Sequence, residues 1–224
     1  MNPLFMQVLE SDSFLSMNAE EIGIHFIKHA SFYITYEETT LYSDPVNYEG
    51  IDYKMLPKAD VILITHEHYD HLDKNAIADI STPNTVIFCN ESVHNILGTG
   101  IVLQNGVHVN YIIDIEAVPA YNTSAGRDIY HPKNRDNGYI ITLGGSRIYI
   151  SGDSENMPEM AQLKNIDAAF FSINQPYTMT VDQAISAAKI IKPKILYPIH
   201  YSDTNLEKLS TLAKEGIDVR IFKM

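Results

Sequence analysis

Three observations predict a layered α/β fold. The early segments alternate apolar and polar residues with the period of half-buried strands. The later segments alternate strand-like with helix-like stretches. One short run, VILIT (Val61 to Thr65), is apolar enough to be a strand buried on both faces. A chain of this kind hides its apolar faces by covering sheets with helices.

Taken in order, IGIHFIKH and SFYITYEE read as strands, and TTLYSD pairs with the second of them across a turn near Glu37 and Glu38. VILIT follows, then a polar stretch and a short helix over Leu72 to Ile80. TVIFC, GIVLQ and VHVNYIIDIEAVP are further strands. YIITL and SRIYI flank Gly144-Gly145, a two-residue hairpin signal because glycine accepts positive φ. A short helix is expected near Met157 to Leu163, and DAAFFSI is a strand. Thr180 with Gln183 forms a capping box that opens a helix running to about Ile191, which Pro193 stops. KILYPIH is a strand, LEKLSTLAKEG the last helix with Gly216 at its C-terminal cap, and IDVRIFKM the final strand. No linker, charge block or internal repeat divides the chain, so residues 1–224 are expected to form a single domain, with 1–20 as an irregular N-terminal extension.

At 224 residues with 45% hydrophobic content, the chain can bury a sizeable core without staples. Sixteen Lys and Arg against 28 Asp and Glu give a net charge of −12, too little basic surface to grip a nucleic acid or an anionic membrane. No run of about 18 apolar residues is present to span a bilayer. The N-terminal stretch lacks the basic start and apolar core of a secretory signal, and Cys89 has no second cysteine to pair with. A cytoplasmic protein acting on a small molecule is the expectation.

Directly after VILIT comes His66-Glu67-His68-Tyr69-Asp70-His71. His66 and His68 point the same way in extended chain, and the turn into the next helix can bring Asp70 and His71 in from another side. Imidazoles and a carboxylate are what Zn²⁺ and similar borderline ions prefer. This loop cannot saturate two metals, so distant ligands are expected. Asp153 follows a strand behind Gly152, although a helix-capping role would also suit it. His200 ends the strand ILYPIH, where a structural histidine is the other reading.

The motif His-x-His-x-Asp-His, a Gly-Asp after a hairpin strand and a terminal His after an apolar strand resemble the metallo-β-lactamase fold. Three stretches, VPAYNTSAGRDIYHPKNRDNGYII, RIYISGDSENMPEM and YTMTVDQAISAAKIIKPKILYPIHY, resemble a branch of metal-dependent hydrolases within it. That branch is related to the ascorbate-phosphate lactonases and to the phospholipase D that cleaves N-acylphosphatidylethanolamine. The resemblance runs from about Ile22 to the C-terminus and implies a four-layer αββα sandwich with metals at one edge. It implies His66 and His68 on a first metal, Asp70, His71 and His200 on a second, and Asp153 bridging them. Two ions, zinc or else manganese or iron, would share a hydroxide that Asp70 orients toward an ester, lactone or phosphodiester bond. The usual third histidine of the first site is replaced by Tyr121-Asn122. Either His131 swings in from its loop or Asn122 supplies an oxygen.

By the same resemblance His29, in KHASF, stands near the site. His25, His94 and His108 are expected to be structural, while Tyr177 and Thr178 either pack a loop or touch substrate. The alternatives are a non-catalytic metal-binding protein with an incomplete first site, and a nuclease, which the acidic charge disfavours. A di-iron redox centre on this fold would resemble His-x-Glu-x-Asp-His, which differs from this chain at His68.

Overall fold

The computed structural model describes residues 9–224. Two seven-stranded sheets face each other. The first runs, in spatial and chain order, β1 (Glu10–Leu15), β2 (Glu21–Lys28), β3 (Ser31–Tyr36), β4 (Thr39–Ser43), β5 (Val61–Leu63), β6 (Val86–Cys89) and β7 (Ile101–Val102). The second holds β8 (His108–Asn110), β9 (Asp114–Ala120), β10 (Asp136–Leu143), β11 (Ser146–Ile150), β12 (Ile166–Ser172), β13 (Ile195–Ile199) and β14 (Asp218–Val219). Helices α1 (Lys74–Ile80) and α2 (Glu91–Leu97) belong to the first half, and α3 (Val181–Ile191) to the second. Three 3₁₀ helices, Tyr53–Met55, Pro158–Gln162 and Glu207–Glu215, complete the crossovers.

Period-two alternation sorts the apolar residues into layers. Val61 and Leu63 of β5 point between the sheets, as do Ala168 and Phe170 of β12. Ile62 and Ile64 point outward against Ala76, Ile77 and Ile80 of α1. Ala169 and Phe171 point outward toward Ala184, Ala187 and Ala188 of α3. The order of layers is therefore helix, sheet, sheet, helix, as the resemblance implied. Phe32 and Phe170 stack at 4.3 Å across the central layer and join the two sheets.

The two sheets are wired alike. Strands β1 to β4 pair antiparallel and β4 to β7 parallel, and β8 to β11 and β11 to β14 repeat that pattern. The loops after β2, β4 and β5 of one sheet meet the loops after β9, β11 and β13 of the other at one edge of the sandwich. That edge carries the site.

Several sequence expectations hold in detail. Glu37 takes φ 48° in the turn between β3 and β4, and Gly144 and Gly145 take φ 52° and 80° between β10 and β11. Both arms of the Thr180–Gln183 capping box form, and Gly216 caps its helix in the left-handed region. Cys89 is fully buried.

Other expectations are corrected. Within the expected irregular extension, residues 10–15 form β1, paired along its whole length with β2. VHVNYIIDIEAVP is a hairpin rather than one strand: Asn110 opposes Asp114, and their side chains hydrogen-bond across the turn. LEKLSTLAKEG is 3₁₀ rather than α because Leu206, Leu209 and Leu212, spaced by three, are the residues that must face the core. The short helix at 158–162 is likewise 3₁₀, with Met160 its one buried residue. The final strand stops at Val219, beyond which Phe222 turns in to stack on Phe26 at 4.5 Å. Helix α2, capped by Asn90 and Gly98, was not anticipated.

Candidate metal centre

The loop after β5 starts with Thr65, whose hydroxyl sits 2.7 Å from Asp44 Oδ2 and 2.9 Å from His66 Nδ1. A carboxylate can only accept, so the single hydroxyl proton goes to Asp44, and the oxygen accepts from His66 Nδ1–H. Asp44 follows β4 at φ 43° and takes Thr65 N–H on its other oxygen at 2.8 Å. The same carboxylate accepts from His71 Nδ1–H at 2.8 Å. One buried aspartate thus orients two imidazoles, turning the Nε2 of His66 toward His68 and that of His71 toward Asp153. This is the support that metal-binding histidines commonly have.

His131 has its own aspartate. Its Nδ1–H donates to Asp136 Oδ2 at 3.0 Å, and Arg135 holds that carboxylate from the far side at 2.6 and 2.9 Å. The loop that carries His131 closes on itself, with Asn122 N–H donating to His131 C=O at 2.9 Å. His131 therefore stands beside position 122, nine residues earlier in the chain. Fully buried Glu155 fastens the loop: its oxygens accept from Thr123 N–H at 2.8 Å, Ser124 N–H at 2.6 Å and the Arg127 guanidinium at 3.1 Å. Burial opposes the charge on Glu155, but these hydrogen bonds keep its carboxyl below the ordinary range.

Asp153 leaves β11 behind Gly152, which takes φ 58°. A Cβ on Gly152 would meet Asn137 C=O at 2.7 Å, so only glycine makes this turn without displacement. The Oδ2 of Asp153 lies 3.4 Å from His71 Nε2, 3.6 Å from His131 Nε2 and 3.3 Å from His200 Nε2. His200 follows β13 at φ 50° and its Nε2 is also 3.3 Å from Asp70. His29, after β2, reaches Asp70 at 3.1 Å, and its ring centre lies 3.6 Å from that of His200 at a tilt of 43°.

Two clusters result, His66 with His68 and His131, and His29 with Asp70, His71 and His200. Within each, one ligand-type atom from every residue lies within 4.8 Å of the others. Asp153 stands between them, joined to His66 and His71 in a third such group. All seven residues singled out by the sequence come together, and His29 joins them. Asn122 spends its amide N–H groups on Tyr177 C=O at 2.8 Å and Arg127 C=O at 3.3 Å. His25 stacks on Tyr33, His94 bonds Gly100 C=O and His108 lies beside Asp114, all apart from these clusters. Asp44, Thr65, Asp136 and Glu155 escaped sequence reading, since nothing in the chain marks an acid as the partner of a particular histidine.

Burial, aided by neighbouring imidazoles, holds His66 well below its usual pKa and lowers His68. Burial pulls His71 the same way, but Asp153 and Asp44 outweigh it and leave that imidazole well above its usual range. Burial would raise Asp70 and Asp153. Contact with the His200 and His29 imidazoles overcomes it at Asp70, and the charges of His200 and His71 overcome it at Asp153, so both stay ionised. The fit to a divalent ion rests on three buried atoms, His71 Nε2, His200 Nε2 and Asp153 Oδ1, which have no hydrogen-bond partner among the described residues. Burying such atoms unsatisfied is costly, and divalent ions held in these clusters would satisfy them. The cleft above them has a volume of about 490 Å³.

An αββα sandwich with such a cluster at its edge is the architecture of the metallo-β-lactamase fold. Residues 23–200 match the family described as the beta-lactamase superfamily domain, and the chain belongs to it. Within that family it belongs with the UPF0173 metal-dependent hydrolases: the one from Pyrococcus horikoshii is 31% identical over 222 residues, 90% of this chain and 96% of the relative. A crystal structure of a candidate metal-dependent hydrolase from Parabacteroides distasonis superposes with a TM-score of 0.94 at 52% identity, over 97% of this chain and 100% of that one. Igni18, a metallo hydrolase from Ignicoccus hospitalis, shares the fold at a TM-score of 0.73 and 22% identity, over 90% of this chain and 95% of that one. No helix among the described residues is long and apolar enough to cross a membrane.

Proposed function

We propose that this chain hydrolyses an ester, lactone or phosphodiester bond in a small molecule with two divalent ions, zinc by the donor set. His66, His68 and His131 would hold one ion, and Asp70, His71 and His200 the other, with Asp153 shared between them. His131 rather than Asn122 completes the first set in this reading, because its Nε2 turns toward Asp153 at 3.6 Å and it shares a cluster with His66 and His68. The observation that carries the proposal is the trio of buried, unpartnered ligand atoms on His71, His200 and Asp153. Divalent ions supply a nucleophile at neutral pH by lowering the pKa of bound water to about 7.

The chain's own groups do the remaining work. Asp70, kept ionised by His29 and His200, accepts a hydrogen bond from the attacking water and aims it. Asp44 and Asp136 fix the imidazoles that surround it, so no reorganisation is needed during reaction. Nucleic acid and membrane are not partners in this reading, for want of basic surface, and the cytoplasm is the compartment that a lone buried thiol suits. The test is metal analysis with a hydrolysis screen over lactones, esters and phosphodiesters, run beside His68→Ala. The expected result is about two ions per chain and at least one activity that falls a hundredfold or more in the variant. Activity that survives His68→Ala unchanged would overturn it.

A further inference from the structure

The cleft above the two clusters is walled by tyrosine. Tyr48, Tyr69, Tyr130 and Tyr177 line it, and no Lys or Arg does. Tyr69 is 88% exposed and Tyr177 44%, so two large rings stand at the rim with faces open to solvent. Tyr130 meets Tyr177 edge-to-face at 5.0 Å, which makes a wall of fixed shape. The segment under Tyr177 is tied down as well. Thr178 N–H donates to Asn174 C=O at 2.8 Å, Asn174 N–H donates to Thr178 Oγ1 at 2.5 Å, and Tyr177 C=O accepts from Asn122.

Three cations of the surrounding loops are paired with carboxylates: Arg127 with Glu155, Arg135 with Asp136 and Glu67, and Lys133 with Glu159. Lys28 lies over the Tyr48 ring at 5.6 Å, outside the cleft lining. A phosphodiester keeps a negative charge that protein sites meet with an Arg fork or a Lys ammonium, commonly beside a metal ion. Here the donor presented instead is a neutral amide. Asn174 lines the cleft, and its side chain makes no hydrogen bond among the described residues. A neutral carbonyl oxygen is the acceptor that such a donor suits.

We propose that the substrate is an uncharged ester or lactone whose flat apolar portion lies against Tyr130 and Tyr177 and whose carbonyl oxygen accepts from the Asn174 amide. This rests on the metal-dependent hydrolase reading above. In the reaction a water oxygen bonds the carbonyl carbon and the ester C–O bond breaks. The leaving oxygen takes one proton of that water, giving an alcohol or phenol, and the new acid releases the other to solvent as it becomes a carboxylate; nothing is oxidised or reduced. Tyr177 sets specificity by touching the part of the substrate remote from the bond that breaks, so its removal weakens binding more than turnover.

The experiment compares metal-loaded wild type, Tyr177→Ala and His68→Ala on dihydrocoumarin, δ-valerolactone and bis(p-nitrophenyl) phosphate. Alongside, saturation-transfer NMR follows 2-tetralone, a flat ketone that cannot be hydrolysed. The expected result is a kcat/KM at least tenfold higher for dihydrocoumarin than for the other two substrates. Tyr177→Ala should raise KM for dihydrocoumarin about tenfold with little change in kcat. The 2-tetralone signal should be present in wild type and absent in Tyr177→Ala. Preference for the phosphodiester, a Tyr177→Ala defect confined to kcat, or 2-tetralone binding that is missing or indifferent to Tyr177 would each overturn the substrate class and leave metal-dependent hydrolysis standing. Undiminished activity of His68→Ala on every substrate would instead remove the hydrolase reading.

Discussion

His131 shows how far single residues could be read. The 66–71 cluster is contiguous, so its chemistry is visible in a line of text; His131 depends on a ten-residue loop folding back so that it lands beside Asn122. The resemblance leaves these two as candidates for the missing ligand, and the hydrogen bond between their backbones brings a residue so far along the chain beside that position. What the text hides is the support beneath, because Asp136 and Asp44 act only through the imidazoles they hold. Asp136→Asn keeps the shape but leaves the His131 tautomer undetermined. Zinc competition against a chelator should report an affinity about 10–100-fold weaker at one of two sites, with the far-ultraviolet circular dichroism unchanged.

At the level of elements, local chemistry was legible wherever it was self-contained. The Gly144-Gly145 turn and the Thr180 capping box need nothing beyond their own residues. Misreadings arose where tertiary packing decides. Leucines at every third position choose 3₁₀ turns over an α-helix, and Phe222 gives up strand pairing to reach the aromatic stack around Phe26 and Tyr197. That stack extends to Phe170, which touches Phe32 of the opposite sheet. Phe170→Ala therefore opens a cavity in the layer both sheets share. Urea denaturation should show a loss of about 3–5 kcal/mol, with zinc content of the folded fraction retained.

Across the whole molecule, the repeated wiring of the two sheets was invisible in the sequence because it resides in strand pairing and direction rather than in residue identity. Each half contributes loops to one edge, and the candidate site draws on both: His66, His68, Asp70 and His71 from the first, His131, Asp153 and His200 from the second. A cation held there ties the halves together, so its binding energy is also folding energy. Saturating zinc at about 100 times its dissociation constant should add about 2.7 kcal/mol for each ion bound. For a chain of this length each ion corresponds to about 5–10 °C in Tm by calorimetry, reversed by a chelator. An unchanged Tm would argue that the two halves do not share a bound ion.

Cys89, at the end of β6, contacts solvent nowhere, and burial pushes its thiol up to about 11. A thiolate is the reactive form, so labelling reagents at neutral pH find it inert until the packing between β6 and the α1–α2 layer opens. The molecule thus carries one native clock for its own opening: the rate at which an alkylating reagent consumes this sulfur measures how often that layer parts from the sheet, with no engineered probe required.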